Sequence, residues 1–263
     1  MNNKTAISLE SIIHAKSRIK SLSRQLSIEL LETPILSSGI LPGTDNVHHY
    51  LKLENLQTTG SFKIRGAINT LSLLEKSQID GVLTVSSGNF GLSVSYVARK
   101  MGLQSTVLIP GDAPPLKQKI IEEYGGKAIP VQFESLEELM NHIHKLCIKD
   151  NLQFIHPFED PNVAVGHGTL GLELLIEKSV INTVLVPVGS GVFIAGMATA
   201  LKSMDPSIRV VGVVPKEVSC YANSFHHRKS IVPDNPEQSI CDCLRAPFVT
   251  QSVLEQGLKY VDE

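Results

Sequence analysis

One lysine in this sequence stands where an amine can be made nucleophilic. In KLENLQTTGSFKIRGA, Lys52 to Ala67, Lys63 lies between Phe62 and Ile64, just after a polar, turn-like run from Gln57 to Ser61. Ile64, Ala67, Ile68, Leu71 and Leu74 then recur at helical spacing, which predicts a helix with Lys63 in its first turn. The helix dipole is positive at that end and opposes an ammonium, so the amine has physical reason to be partly neutral and to condense with a carbonyl. The alternative is an ordinary solvated lysine near a helix start.

Two further stretches could hold negative groups. In GVLTVSSGNFGLSVSYVARKMG, Val82 to Val85 read as a strand, Ser86 to Asn89 as a tight turn, and Leu92, Val94, Tyr96, Val97 and Met101 as the apolar face of a helix. Backbone N–H groups at such a helix start favour an anion, and Ser86, Ser87 and Asn89 around Gly88 add side-chain donors; a capped turn without a ligand is the other reading. TVLVPVGSGVFIAGMATALK repeats the arrangement: strand Val184 to Val188, turn Gly189-Ser190-Gly191, then a helix. A dinucleotide fingerprint is excluded here, because its third glycine would fall on Ile194 and the next strand, Val210 to Val214, runs into Pro215 with no acid at its tip. The Walker pattern is also absent.

The elements that must position these groups alternate. Ile12, Ile13, Ala15, Ile19, Leu22 and Leu26 mark an opening amphipathic helix that ends before Thr33-Pro34, and His49 to Leu53 read as a strand. Ser105 to Ile109 is a buried-type strand, residues 134–149 form a charged amphipathic helix, and short connections throughout imply parallel β-α-β units. His48 and His49 have no ligand partners at metal spacing, His142 and His144 do not share a helix face, and Cys147 reads as packing. Cys241-x-Cys243 is one residue short of a C-x-x-C pair, so a metal site is not expected.

Composition narrows the class. The 263 residues are 42% hydrophobic and 19% charged with a formal net charge of −2, which gives no basic surplus for nucleic acid or an anionic membrane. Tryptophan is absent, against a base-stacking platform, and no apolar run reaches the roughly 18 residues that span a bilayer. Four scattered cysteines and a polar, amphipathic start point to a reducing, cytoplasmic setting.

KLENLQTTGSFKIRGA resembles the signature of the fold-type II pyridoxal-phosphate enzymes, closest to the threonine/serine dehydratase and serine racemase branch. Thr33 to Ile35, the A-P-x-x-K run Ala113 to Lys117, HPFEDPNVAVGHGTLGLEL and ICDCLRAP are similar to further segments of that family, so the resemblance covers nearly the whole chain. It implies two three-layer α/β/α domains with largely parallel sheets, as in the tryptophan synthase β fold, with the cofactor cleft between them. A large cofactor domain would comprise residues 1–75 and 154–263, and a small substrate domain residues 76–153. It further implies that Lys63 carries pyridoxal 5'-phosphate as a Schiff base, that Phe62 packs near the pyridine ring, and that Gly189, Ser190, Gly191 and Val192 replace the family's tetraglycine phosphate loop. Ser86, Ser87, Gly88 and Asn89 would bind the amino-acid carboxylate, with Asn89 also on the cofactor's phenolic oxygen.

The expected reaction is β-elimination from threonine or serine to a 2-oxo acid and ammonia, in a homodimer; β-replacement, racemisation, or a catalytically weak relative acting as a binding or partner protein use the same parts. Several positions depart from the family. Phe90 and Leu92-Ser93 stand for His and Gln-Gly, which alters the substrate side-chain region; Val192 is β-branched where positive φ is expected; and Cys243 replaces a glycine near the cofactor. Val214 stands where a cation-supporting Glu occurs, so no metal is expected there. Gly166-His167-Gly168-Thr169 stands for Gly-Gln-Gly-Thr and reads as a turn and helix start whose glycines suit close backbone approach. Family members continue past the segment similar to Val249–Glu263, and their contact to the pyridine nitrogen has no counterpart in this sequence.

Overall fold

A computed structural model of the chain describes residues 6–39, 47–86, 88–111, 113–178, 180–217, 220–232 and 239–263, and the structural statements that follow concern these. Helix α1 (Leu9–Gln25) begins in a capping box, in which the Ser8 hydroxyl accepts from the Ser11 N–H and the Ser11 hydroxyl accepts from the Ser8 N–H. Ile12, Ala15 and Ile19 face the core, whereas Ile13 of the same periodic set is 47% exposed. Strands β1 (Ile35–Gly39) and β2 (His49–Lys52) pair antiparallel as a separate ribbon.

Helix α2 (Lys63–Leu71) is the most enclosed element: every residue from Ile64 to Leu71 is buried, because α1, α3 and α6 all pack on it. A four-stranded parallel sheet follows, in the order β5 (Lys127–Val131), β4 (Gln104–Pro110), β3 (Gly81–Val85), β6 (Leu152–Phe154). Its central strand GVLTV is apolar and β-branched because it is covered on both faces and paired on both edges. Helices α3 (Asn89–Met101), α4 (Pro115–Glu123) and α5 (Leu136–Lys149) connect the strands, α3 ending at Gly102 with φ +74°.

The chain then enters α6 (Pro161–Glu177), capped by the Asp160 carboxylate with Pro161 at its first position, and continues through β7 (Thr183–Pro187), α7 (Val192–Met204) and β8 (Arg209–Val213). Strands β7 and β8 form a second, two-stranded parallel sheet, and α8 (Cys220–His227) and α9 (Gln251–Tyr260) complete the order. Residues 166–169 correct the sequence reading: they are the interior of α6, not a turn and helix start. The expectation of close backbone approach holds for a helix–helix contact instead. A Cβ on Gly166 would lie 2.7 Å from the Arg65 carbonyl oxygen, and one on Gly196 of α7 would lie 2.0 Å from that of Ala164. A local pattern scan takes paired glycines as turn signals, yet here they let α6 press against α2 on one side and α7 on the other.

One apolar cluster runs through this junction, from Ile19, Ile64 and Val94 through Val163 to Ala195 and Val253, and includes Val82 of the larger sheet and Val186 and Val210 of the smaller. The lysine helix is therefore embedded where the two sheets' packing layers meet.

Candidate active site

Lys63 is the first residue of α2, and the preceding Phe62 provides no side-chain cap. Its Nζ makes no hydrogen bond or ion pair with the described residues. The residue keeps part of its surface open, but its surroundings are dense, and burial holds the amine below the ordinary lysine value of 10.5; the Cys243 thiol and the Asp242 carboxylate pull the other way and are outweighed.

The starts of α3 and α7 are tied to the loop that leads into Lys63. The Phe62 ring stacks on Phe193, the second residue of α7, at 3.8 Å and 15°. Thr59 and Ser93 hydroxyls are 2.9 Å apart, and the Ser93 hydroxyl donates to the Asn89 carbonyl at 2.8 Å, which ties the lysine loop to the first turn of α3. Helix α3 starts from Gly88 and α7 from Gly191, neither with a side-chain cap, whereas the Ser8, Ser135 and Asp160 side chains cap α1, α5 and α6. The N–H groups of α3 and α7 are thus free for an external anion. At α3, the Ser86 hydroxyl accepts from the Gly88 N–H at 3.2 Å and Asn89 is exposed; Ser87 lies outside the described residues.

At α7, Gly191 has φ +89°, and a Cβ on it would lie 2.2 Å from Cε2 of Tyr221, so only glycine fits. A Cβ on Gly189 would lie 3.2 Å from the Leu244 carbonyl oxygen. Ser190 at the tip of the turn is half-buried. Val192 corrects the sequence expectation: positive φ belongs to Gly191, and Val192 is an ordinary first helical residue, 4% exposed, whose side chain joins the core. Phe90 likewise packs into the main core at 3% exposure. Cys241 and Cys243 are both exposed free thiols. Lys117 of α4 forms an ion pair with Asp242, fastening the segment beside Gly189 to the far side of the site.

The sequence reading missed the ionic network beneath Lys63. The Arg65 guanidinium, 2% exposed, donates twice to Glu54 at 2.9 Å and reaches Glu173 at 2.7 Å; Lys52 holds Glu173 and Glu177, each at 2.7 Å, and the Thr33 carbonyl at 2.6 Å. Burial opposes the charge on Arg65, but the two carboxylates hold it up; burial likewise opposes the charge on Glu173, and Arg65 and Lys52 hold its carboxyl below the ordinary range. Glu54 and Arg65 stand inside the lysine motif, and Glu173 and Glu177 lie one turn apart on α6, which was the available signal. The meeting of Lys52 with Glu173, across 121 residues, was not. His167 was also missed as part of the site: it is 3% exposed, edge-on to Phe62 at 5.0 Å and Phe193 at 5.9 Å, and its Nδ1 is buried without a partner. Burial first, then Lys63 and Arg65, push its pKa down to about 3, so the ring is neutral.

The profile of a family described as "Pyridoxal-phosphate dependent enzyme" matches residues 26–263. The catabolic L-threonine dehydratase TdcB of Staphylococcus aureus (strain N315) is 38% identical over 258 residues, 98% of this chain and 72% of the relative. The chain is a fold-type II pyridoxal-phosphate-dependent enzyme of the threonine/serine dehydratase branch. Among solved structures, this fold-type II enzyme superposes on a T.th. threonine deaminase with a TM-score of 0.86 at 32% identity, covering 97% of this chain and 80% of the other. It superposes on maize serine racemase with a TM-score of 0.87 at 32% identity, covering 97% and 75%. These likenesses carry the two-domain α/β fold with them.

The residues present fit the cofactor. An unpaired, depressed-pKa amine suits a carbonyl, and the glycine-lined turn with no room for a Cβ, opening the uncapped α7, suits a phosphate. Surface grooves of about 360 and 460 Å³ lie elsewhere, along α5 and between α3 and α4, and contain none of these residues. Among the described residues no group of three or more His, Cys, Asp or Glu could hold a metal ion, and no helix is long and apolar enough to cross a membrane.

Proposed function

We propose that this enzyme removes the β-hydroxyl of a small hydroxy amino acid, L-threonine or L-serine, to give a 2-oxo acid and ammonia. The observation that carries it is the unpaired amine of Lys63, in a loop and helix start that Phe193 ties to the uncapped start of α7 and Ser93 to that of α3. The relatives support the substrate class, since proteins named threonine dehydratase and threonine deaminase are similar over nearly all of this chain.

In this reading Gly189, Ser190, Gly191 and the N–H of Val192 hold the phosphate, with charge supplied by the helix start. Phe62, braced by Phe193, lies beside the cofactor ring. Ser86, Ser87, Gly88 and Asn89 hold the substrate carboxylate, and Asn89 also reaches the phenolic oxygen. Pyridoxal phosphate, when bound, supplies the electron sink that lets a proton leave the substrate's α-carbon. Lys63 takes that proton on Nζ, which its depressed pKa leaves free to accept. The electron pair left at the α-carbon forms the bond to the β-carbon as the β-hydroxyl leaves, taking up the proton held on Lys63 Nζ to depart as water, and hydrolysis of the released enamine gives the 2-oxo acid and ammonia. Residues 76–153, which carry most of the four-stranded sheet, would serve the substrate, and residues 1–75 with 154–263 the cofactor. The same reading includes a homodimer, which light scattering of the purified protein would test.

The test is spectral, then catalytic. Purified protein given pyridoxal phosphate is expected to show a band near the visible edge that borohydride removes and that Lys63→Ala lacks. Addition of L-threonine or L-serine should then release 2-oxo acid and ammonia in equal amounts. A protein that holds the cofactor on Lys63 yet releases neither product overturns the dehydratase reading in favour of a weak relative. Formation of D-serine without 2-oxo acid would favour racemisation, the activity named for the maize neighbour.

A further inference from the structure

We propose that His167 is a positioning residue for Lys63: its buried ring, wedged among Gly66, Phe62 and Phe193, fills one side of the space around the Lys63 amine and so limits the water that reaches it from within the fold. The inference deepens the reading of Lys63 as the reactive amine, but its test needs no cofactor.

The geometry comes from three elements. Gly66 lies three residues after Lys63, on the same face of α2. A Cβ at Gly66 would lie 2.5 Å from Cε1 and 2.9 Å from Nδ1 of His167, so the imidazole edge lies directly against that face. Phe62 from the lysine loop and Phe193 from α7 both meet the ring at near right angles, 82° and 86°. A flat ring fits this slot edge-on where a branched aliphatic chain would not. Nδ1 is buried there with no hydrogen bond, an arrangement that disfavours folding and that a purely structural position has no reason to keep. The imidazole is neutral beside Lys63 and the Arg65 guanidinium; a protonated ring would add a positive charge to a buried space that already holds one. The charged or titratable groups facing Lys63 are then His167 from α6, which itself also faces Arg65, and Asp242 and Cys243 from the 242–244 segment. The last two favour the ammonium and burial opposes it, and the His167 ring of α6 is one of the groups packed against the helix that carries the amine.

Trace acetylation of the cofactor-free protein with acetic anhydride from about pH 6 to 11, read at Lys63 by peptide mass spectrometry, measures the pH at which the amine loses its proton. Removing the ring in His167→Ala should admit water and raise the Lys63 midpoint by at least about one pH unit, which cuts labelling at about pH 8 roughly tenfold. His167→Gln, which keeps a neutral polar side chain of similar length, should leave the midpoint near that of the unsubstituted protein. Gly66→Ala, whose methyl would displace the ring, should shift the midpoint in the same direction as His167→Ala, and decides the matter if His167→Ala fails to fold. Folded variants with native circular dichroism and an unmoved midpoint overturn the proposal, whether or not the protein binds pyridoxal phosphate. Failure to bind pyridoxal phosphate with the midpoint shifted would leave the His167 role standing and count only against the functional reading.

Discussion

Replacing Lys63 by methionine should stabilise the cofactor-free protein at neutral pH, and the gain should fade as the pH rises. Methionine matches the unbranched stem of lysine and removes an amine that burial disfavours in its charged form. The sign follows from linkage. A lysine with a folded-state pKa below its unfolded 10.5 binds fewer protons folded than unfolded between those two values, so charge costs stability at low pH and the cost disappears toward 10.5. At pH 7 the largest possible cost is the full interval from 7 to 10.5, about 5 kcal/mol at about 1.4 kcal/mol per unit, because an amine already neutral in the folded state costs no more. At pH 9 that ceiling drops to about 2 kcal/mol. Urea or thermal unfolding of the two proteins at about pH 7, 9 and 10 gives the difference directly; in a chain of this size each kcal/mol moves the midpoint by about 2 °C. A methionine variant that is less stable at pH 7, or whose gain does not vary with pH, would refute the account of a desolvated amine and with it the chemical role given to Lys63.

Glu54→Gln removes one carboxylate from a guanidinium that is 2% exposed, and should cost about 3–5 kcal/mol in a denaturation experiment, the range for breaking one side of a buried pair. The Glu173 carboxyl, held below its usual 4.5 by Arg65 and Lys52, contributes stability that is present above that value and lost as pH falls through its lower folded value; acid titration of Glu173→Gln should lack this limb. Gly191→Ala forces a side chain into positive φ and against Tyr221, and should cost about 1–3 kcal/mol together with at least roughly tenfold weaker binding of pyridoxal phosphate by spectral titration. Asn89→Ala, at an exposed side chain, should leave unfolding within about 0.5 kcal/mol yet shift the absorbance of the bound cofactor and lower 2-oxo acid formation.

The lysine, the turns that open α3 and α7 and the parallel β-α-β order were legible in the sequence because each is a local pattern. A strand's apolar run, a short glycine or serine turn and a helical period lie within about twenty consecutive residues, and neighbours along the chain fix them. For the same reason the α7 turn was located correctly, while its strain was assigned one residue too late: the positive φ falls on Gly191, and Val192 begins the helix.

What the tertiary structure alone decided is which distant residues share a space. Gly166 and Gly168 look like turn glycines in sequence, and only the pressure of α2 and α7 on α6 makes them helix-interior contacts. Arg65 has the composition of a surface residue, yet Glu54 and Glu173 make its burial tolerable. His167 is far from Lys63 in sequence and is pressed against the same helix face in space. Sequence by itself determined the groups that can react and the turns that can hold charge, because covalent neighbours set local conformation. Their surroundings, dry or wet, paired or orphaned, depended on packing between segments far apart in the chain, and that packing sets whether the Lys63 amine is a solvated cation or a reactive base.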